Sequence, residues 1–403
     1  MLNNRTLKTT IERINNNFRV VLVTGMRQVG KTTLLKMLSE KQRTYITLDD
    51  TATLNFAKTD PYLFFKTYQL PILIDEIQYA PDLFPHIKIL VDNSAQKGQV
   101  WMTGSQQFLL MKGVSESLAG RLAILELMGF SIYEREGKGE QQKPFLPSAS
   151  PSGILQKKSV KETFEIIWKG CFPEMNFIGN ENWADFYSSF VKTYIERDVR
   201  QLLNISNELG FYNFLKIVAA RTGQELNLTD ISNVLDISLN TVKSWLSVLQ
   251  ASGVVYLLPP YYENITKRIV KRPKLYFSDT GLAAYLTNWN TPETLEAGAM
   301  NGAFFETFVI TEIIKSYKHN GLHPNFYFYR DSNKVEIDLL IYENGKFYPI
   351  EIKRTANPDK KMIKNFFVLE KMGKTIGYGS LICLTDKVFP LTENTNAISI
   401  WDI

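Results

Sequence analysis

The clearest chemical signal in the sequence is residues 25–32, Gly-Met-Arg-Gln-Val-Gly-Lys-Thr. This G-x-x-x-x-G-K-T pattern follows an apolar run and precedes a helix-like segment. Its two glycines allow backbone angles that turn N–H groups towards an anion. The pattern predicts a phosphate-binding loop in which Lys31 contacts the β- and γ-phosphates and Thr32 binds Mg²⁺. The residues predicted to hold the nucleotide are Gly25, Met26, Arg27, Gln28, Val29, Gly30, Lys31, Thr32 and Thr33.

Two acids at the end of a second apolar run, Asp75 and Glu76, could complete a magnesium–nucleotide site. The carboxyl end of a buried parallel strand is where a second Mg²⁺-organising carboxylate is expected. We predict this role for Asp75 and the role of general base for Glu76. Ser105 is a candidate γ-phosphate sensor or an ordinary cap. Arg121 is a candidate transition-state residue or an ordinary ion-pairing arginine. ATP is the expected nucleotide, because no clear guanine-specifying N-K-x-D motif is present.

Four charged residues near the carboxyl end suggest a second site. Asp338 and Glu351 lie on neighbouring predicted strands joined by an Asn-Gly turn, and Lys353 projects from the same face as Glu351. The two carboxylates could converge on Mg²⁺, and Lys353 could help to activate a water molecule. Glu306, on the preceding predicted helix, adds another carboxylate. An ordinary ion-pair network is the alternative interpretation.

Residues 226–253 read as helix, turn and helix, and an apolar strand follows. This order is typical of a winged helix-turn-helix. The first helix is expected to bury Ile231 and Val234. The inward residues of the second helix are Val242, Leu246 and Leu249. The residues predicted to face a DNA groove are Asn240, Lys243 and Ser247. The predicted basic wing carries Lys267, Arg268, Lys271, Arg272 and Lys274, which suit phosphate contacts. Packing against protein alone is the other interpretation.

The bulk composition narrows the class of protein. A chain of 403 residues with 44% hydrophobic content can build several domains, and its net charge of +5 permits DNA binding without demanding it. Two cysteines and three histidines are too scattered to predict a disulfide framework or a metal cluster. No apolar run approaches the ~18 residues of a membrane span, and the start lacks a secretory signal. We therefore expect a cytoplasmic protein without membrane contact.

Several of these motifs together resemble a known family. Residues 25–32, Leu73-Ile-Asp-Glu-Ile-Gln78, Thr103-Gly-Ser105 and Ser117-Leu-Ala-Gly-Arg121 are similar to those of prokaryotic AAA-plus ATPases related to archaeal ATPases. The likeness extends to Gly170-Cys-Phe-Pro-Glu174 and Phe277-Ser-Asp-Thr-Gly-Leu282. In that family the carboxy-terminal half is mainly a domain of unknown function. The D…E-x-K set resembles the restriction-endonuclease-like core, and Glu306 resembles the extra helix glutamate of Holliday-junction resolvases.

The resemblance and the patterns together predict an α/β chain with a parallel-sheet AAA-plus core, a helical and winged-helix middle and a restriction-endonuclease-like α/β end. The predicted boundaries are an ATPase domain over 1–150, with a mobile linker at 133–153, a helical connector over 151–205, a winged helix-turn-helix over 206–285 and a nuclease-like domain over 286–403.

Two functional hypotheses follow. In the first, an ATP-hydrolysing AAA-plus protein acts on DNA, and nucleotide state controls DNA binding and a Mg²⁺-dependent nuclease module. In the second, the chain is a nucleotide-switched DNA- or protein-binding regulator without nuclease activity. A homo-oligomer is plausible, because AAA-plus sites commonly borrow an arginine from a neighbour, but a monomer stays open.

Overall fold

The computed structural model describes residues 4–105, 117–151, 153–199, 207–263 and 271–403. The chain divides into two compact units. The first comprises the chain up to Gln142 with the short segments 251–253 and 318–322, and the second comprises the remainder. Within the described ranges, no helix has the length and apolar character needed to cross a membrane. The predicted α/β class is confirmed by this architecture.

A five-stranded parallel sheet forms the centre of the first unit, with strand order β2-β3-β4-β1-β5. All residues of β1, β3 and β4 are buried, as expected for strands covered on both faces. The parallel direction brings the carboxyl ends of the strands to one edge, where the predicted loop follows β1. The strands are β1 Val20–Thr24, β2 Thr44–Thr47, β3 Ile72–Asp75, β4 Val100–Gly104 and β5 Leu122–Glu126.

Helices pack against this sheet around a core that includes Phe64, Phe84 and Ile87, all fully buried. Two of these helices begin at N-cap residues, because Asp50 and Asp60 each accept a hydrogen bond from a backbone N–H three residues ahead. The helices are α1 Leu7–Asn15, α2 Lys31–Leu38, α3 Thr51–Thr59, α4 Pro61–Thr67, α5 Leu83–Asp92 and α6 Ile132–Arg135.

The first half of the predicted linker, residues 133–142, is folded rather than a mobile connection. Ser131 and Glu134 form a capping box at α6, and Glu134 is completely buried. Glu134 lies 3.2 Å from Arg5 Nε and 3.3 Å from His319 Nδ1, and accepts a 2.9 Å hydrogen bond from the Thr6 N–H. The expectation of mobility was wrong here because these polar side chains bond to each other rather than to water.

The second unit contains a six-stranded mixed sheet with order β13-β14-β12-β11-β10-β9. The predicted hairpin is confirmed: Asn344 and Gly345 both have positive φ, and Glu343 pairs with Lys346. β11, β12 and β14 run parallel to one another, whereas the outer pairs are antiparallel. The strands are β9 Phe326–Arg330, β10 Glu336–Glu343, β11 Lys346–Ile352, β12 Gly379–Cys383, β13 Phe389–Thr392 and β14 Thr395–Ser399.

A small antiparallel sheet of the second unit has order β6-β8-β7, in which β6 is Gln224–Glu225, β7 is Val255–Leu258 and β8 is Lys274–Phe277. The nine helices of the described chain after residue 142 are α7 Val160–Lys169, α8 Trp183–Thr193, α9 Glu208–Ala219, α10 Leu228–Leu235, α11 Leu239–Ala251, α12 Thr280–Leu286, α13 Pro292–Ala297, α14 Asn301–Lys318 and α15 Phe367–Lys371; a π-helix covers Tyr194–Val199. The further division at 151–205, 206–285 and 286–403 stays a prediction.

The helix-turn-helix segment is present as α10 and α11, with Asp236 in the left-handed conformation between them. Its predicted inward residues Val242, Leu246 and Leu249 are buried, as is Ile231. Val234 differs from the prediction, because it is 60% exposed. A helix of eight residues buries only a narrow stripe, and here Ile231 alone is fully inside it.

Candidate functional site

The loop between β1 and α2 has the backbone that the two glycines predicted. Gly25 has φ +145°, and a Cβ at this position would lie 2.0 Å from the carbonyl oxygen of Leu127. Gly30 has φ +91° and is the N-cap of α2. Both positions therefore need glycine. The positive φ requires it at each position, and at Gly25 the lack of space for a Cβ requires it as well. The amino end of α2 consequently points its positive dipole end into the loop.

Lys31 lies inside this loop. Its Nζ donates hydrogen bonds of 2.9 Å to the carbonyl oxygens of Gly25 and Met26, and only 5% of the residue is exposed. Arg27 reaches outwards, and its Nη2 donates to the Tyr79 hydroxyl at 3.0 Å. Of the other predicted loop residues, Met26 and Val29 are buried, whereas Gln28 and Thr33 are exposed. The ammonium of Lys31 is thus the buried positive charge of the loop.

Asp75 receives hydrogen bonds from three different elements. The Thr32 hydroxyl donates to Asp75 Oδ1 at 2.7 Å, and Thr103 donates to the same oxygen. The Tyr45 hydroxyl donates to Oδ2 at 3.1 Å. Burial of Tyr45, together with the Asp75 carboxylate, raises the pKa of the phenol to about 12. The predicted partners Thr32 and Asp75 are therefore in contact. The contacts of Tyr45 and Thr103 with Asp75 were not predicted; Thr103 stands in the motif Thr103-Gly-Ser105, whereas only the strand register could have revealed Tyr45.

Glu76 follows Asp75 with a left-handed backbone, φ +59°, and its N–H donates to the Thr103 hydroxyl at 3.0 Å. Its carboxylate lies beside Ser105, whose Oγ is 3.4 Å from Glu76 Oε2. The Gln78 side-chain amide donates to both residues, at 3.1 Å to Ser105 Oγ. The structure thus brings the predicted base and the predicted sensor together, with Gln78 between them.

Arg121 is at the other end of the sheet. It immediately precedes β5, and Leu122 pairs with Val20 at the start of β1, whereas the loop follows the end of β1. Four residues of strand span ~13 Å, which exceeds the reach of an arginine side chain. Arg121 instead forms an ion pair with Asp92, with 2.6 Å between Nε and Oδ1. Arg121 is thus far from the loop of its own chain and ion-paired, as in the second of its two interpretations, and a role at the loop of a neighbouring chain stays a prediction.

The side chains around the loop fit a magnesium–triphosphate group. Mg²⁺ prefers hard oxygen ligands, and the Thr32 hydroxyl and the Asp75 carboxylate supply two such oxygens that already touch. Lys31 adds the positive charge that a triphosphate requires. The narrow loop around Gly25 leaves space for backbone but not for a side chain. This chemistry, rather than the sequence pattern alone, supports a nucleotide site.

The four carboxy-terminal candidates also meet, within the second unit. Lys353 Nζ lies 2.6 Å from Glu351 Oε1 and 3.4 Å from Asp338 Oδ2. Burial of Glu351 and the neighbouring Asp338 carboxylate raise the pKa of Glu351 to about 8, against the opposing effect of Lys353. Asp338 Oδ2 also accepts a 2.9 Å hydrogen bond from the Ile352 N–H. Asp338, Glu351 and Lys353 are therefore ion-paired with one another, and their catalytic and metal-binding roles stay a prediction.

Lys274 differs most from its predicted role on a basic wing. It is 3% exposed, and its Nζ lies 3.1 Å from Glu306 Oε1 and 2.5 Å from Glu336 Oε1. Burial alone would lower the pKa of Lys274, but Tyr276 and the surrounding carboxylates raise it well above its ordinary value. Lys274 is thus a core residue, because β8 passes beside the carboxylates. Of the other wing residues, Lys271 and Arg272 are exposed, and Lys267 and Arg268 lie outside the described residues.

Comparison with known families identifies the first unit. Residues 17–136 match a family model described as an AAA domain, over the same stretch that contains the loop, Asp75 and Glu76. These residues form an AAA-type ATPase core. Residues 160–293 and 301–403 match two further family models, each described as a domain of unknown function (DUF8612 and DUF4143). The ATPase core is therefore followed by two regions that are similar to domains of unknown function.

Two relatives are similar over most of the chain. Uncharacterized proteins from Mycobacterium bovis and Mycobacterium tuberculosis are each 29% identical over 359 residues, which is 89% of this chain and 75% of theirs. Among solved structures, the Walker-type ATPase of Pyrococcus abyssi aligns with 14% identity and a TM-score of 0.45, covering 71% of this chain and 96% of that one.

Proposed function

We propose that the ATPase core binds and hydrolyses ATP with Mg²⁺. The observation that carries this proposal is the 2.7 Å contact between the Thr32 hydroxyl and Asp75, beside the buried Lys31. Bound Mg²⁺ would neutralise phosphate charge and orient the phosphates. No other group of oxygen ligands in the core combines this contact with a glycine-bounded loop among the residues that the structure describes.

The side chains around Asp75 have distinct roles in this proposal. Lys31 exchanges its two carbonyl partners for phosphate oxygens, which carry more negative charge. Thr103 holds Asp75 and the Glu76 N–H together, so the two acids keep a fixed separation. Glu76 takes a proton from the attacking water, and Ser105 and Gln78 orient its carboxylate.

Three variants test these roles by separating ATP binding from turnover. Lys31→Ala should lose both, because the loop loses its positive charge. Asp75→Asn should lose Mg²⁺-dependent turnover, and Glu76→Gln should bind ATP but turn it over ~10²–10⁴-fold more slowly. Lys58→Ala, an exposed lysine of α3, is the matched control. Normal turnover in Lys31→Ala would overturn the proposal. Normal turnover in Glu76→Gln alone would reject only Glu76 as the base.

Nucleic-acid binding by the middle of the chain is a second proposal. The observation that favours it is the exposure of Asn240, Lys243 and Ser247 on α11, while Val242 and Leu246 are buried. Together with the sheet β6-β8-β7, this arrangement is typical of a winged helix-turn-helix that presents its second helix to a DNA groove. The predicted outward face is thus polar and carries a cation, as DNA requires.

A cavity of about 1100 Å³ in the second unit supports this proposal. Exposed Lys271 and Arg272 line it together with Tyr262 and Tyr329. Cations that track a phosphate backbone and aromatic rings that stack on bases are the usual combination in single-strand binding. Acidic residues line the cavity as well, and two of them are paired: Glu225 with Arg330 and Glu263 with Lys374.

Salt-dependent binding tests the second proposal. Lys243→Ala and Lys271→Ala should each weaken binding of a fluorescent DNA duplex or single strand and lower the salt slope by about 1. Lys346→Ala, an exposed lysine on β11, is the control. In the nucleotide-switch hypothesis, ATP should change the DNA affinity of the normal chain but not of Lys31→Ala. Unchanged affinity and slope in both lysine variants would reject DNA binding by this surface.

A homo-oligomer remains part of the proposal because Arg121 can reach a phosphate loop only in another chain. If neighbouring chains share sites in this way, mixing Lys31→Ala with Arg121→Ala should restore part of the turnover that each variant lacks alone. A mixture no more active than the sum of its parts, at concentrations where sedimentation shows oligomers, would reject this arrangement.

A further inference from the structure

The carboxylates of the second unit converge on a lysine ammonium. Lys274 Nζ lies 2.5 Å from Glu336 Oε1, 3.1 Å from Glu306 Oε1 and 3.6 Å from Asp338 Oδ1. Glu306 belongs to helix α14, and Glu336 and Asp338 belong to strand β10, while Lys274 is the first residue of β8. The lysine side chain is 4% exposed, so its charge is neutralised inside the unit and not by solvent.

This ammonium and a divalent ion cannot occupy the cluster together. Mg²⁺ binds oxygen at about 2.0–2.1 Å in octahedral geometry, and the oxygens it would need are those that surround Nζ. A second positive charge a few ångströms from the buried ammonium would be strongly repelled. Two aromatic residues also lie at the cluster. Lys274 Nζ is 5.7 Å from the centre of the Phe328 ring, and the Tyr276 hydroxyl donates a 2.6 Å hydrogen bond to Glu306. Side chains on every side thus hold the lysine in place.

Other oxygens of the predicted metal site are also engaged, although Glu351 Oε2 is buried without a hydrogen-bond partner in the structure. Asp338 Oδ2 accepts from the Ile352 N–H, and Lys353 bridges it to Glu351 Oε1. Throughout the described parts of the chain, no group of three or more His, Cys, Asp or Glu residues is arranged to hold a metal ion. As arranged around Lys274 and Lys353, the residues therefore do not fit the Mg²⁺ that was predicted at Asp338 and Glu351.

We infer that Lys274 is the resident cation of this carboxylate cluster and keeps it closed to divalent metal ions. The carboxy-terminal module consequently has the acids of a metal site but uses them to bury a lysine. Removing the ammonium takes away the cation that Glu306, Glu336 and Asp338 share, and leaves only the outer pairs of Glu336 with Arg330 and of Asp338 with Lys353. Carboxylate oxygens are the ligands that a hard divalent cation prefers, so these side chains should rearrange around such an ion when Lys274 is replaced.

Binding of Mn²⁺ to the full chain without nucleotide tests this inference, with electron paramagnetic resonance used to count bound ions. The normal chain, Lys274→Arg and the exposed control Lys346→Met should show no Mn²⁺ binding that depends on Asp338. Lys274→Met should bind one additional Mn²⁺ per chain, and Lys274→Met with Asp338→Asn should lose it. Mn²⁺ should also raise the unfolding temperature of Lys274→Met and of none of the other variants. This measurement detects the site even if Lys274→Met folds only when metal is bound.

Three results would contradict the inference about Lys274. Mn²⁺ binding by the normal chain that disappears in Asp338→Asn would show that the lysine does not close the cluster. A Lys274→Met chain that neither binds Mn²⁺ nor gains stability from it would show that the carboxylates do not form a latent site. The inference would also be overturned if the normal chain cleaved DNA in Mn²⁺ and Asp338→Asn did not. None of these readouts depends on ATP hydrolysis.

Discussion

The buried carboxylate Glu134 should be a main source of stability in the first unit. Burial raises its pKa, but Arg5, His319 and the Ser131 N–H outweigh burial and lower the pKa from 4.5 to about 2. A difference of that size, at about 1.4 kcal/mol for each pH unit, corresponds to about 3 kcal/mol of folding free energy. Glu134→Gln should therefore destabilise the first unit by about that amount near neutral pH, and it also leaves Arg5 buried without its carboxylate.

The dependence on pH has a definite sign. Because the pKa of Glu134 is lower in the folded chain, its contribution is present above pH 4.5 and is lost as the pH falls towards 2. The difference between the normal chain and Glu134→Gln should hence be constant from about pH 7 to about pH 5 and shrink at about pH 3. Hydrogen exchange of α1 and α6, followed by mass spectrometry, measures this difference where the network lies. Exchange in Glu134→Gln should be roughly 100-fold faster at neutral pH.

An exposed ion pair of the same unit provides the control. Lys8 and Glu140 are 2.9 Å apart, and their side chains are 36% and 42% exposed. Exposed pairs contribute little, so Glu140→Gln should change exchange only slightly. Equal exchange rates in Glu134→Gln and Glu140→Gln would refute the argument that burial gives the Glu134 network its large effect. A difference that grows below pH 4.5 would refute its sign.

Three further predictions concern the ATPase core and the carboxylate cluster. Thr103→Val should lower ATP turnover by about 10–100-fold, and Tyr45→Phe should lower it by less, because Thr103 positions both acids whereas Tyr45 positions only Asp75. Equal turnover in the two variants would contradict this order. Gly25→Ala should abolish ATP binding in calorimetry, because its Cβ would meet a backbone carbonyl, whereas Gly302→Ala, with open space around its Cβ, should bind normally. EDTA should stop ATP turnover but leave the thermal unfolding of the second unit unchanged; a lower midpoint would contradict the internal cation.

Local patterns predicted the parts of the fold that depend on nearby residues. The loop from Gly25 to Thr32, the buried strand before Asp75 and the hairpin at Asn344 all follow from glycine conformation or apolar runs a few residues long. The acids Asp75 and Glu76 were placed correctly because parallel strands bring their carboxyl ends to one edge. Each of these inferences needed only the order of residues along one element and its direction in the sheet.

The predictions that failed needed the register between distant strands. Tyr45 reaches Asp75 from a neighbouring strand, and nothing in its own segment marks it, whereas Thr103 stands in a quoted motif but was given no role there. Arg121 had two interpretations, and only the pairing of β5 with β1 shows that it lies away from the loop of its own chain. Lys274 was counted with four other basic residues, and only the pairing of β8 shows that it is inside. Charge density along the chain does not reveal which cation is buried.

The two carbonyl contacts of Lys31 have a consequence for nucleotide exchange. In the proposed ATPase, the ammonium would return to the oxygens of Gly25 and Met26 when a nucleotide leaves, so the vacated loop would not hold an unsatisfied buried charge. The free energy gap between the occupied and vacated loops is thereby smaller than it would be for an isolated lysine. A smaller free energy gap would favour rapid release of the product, which the proposed repeated turnover of ATP requires.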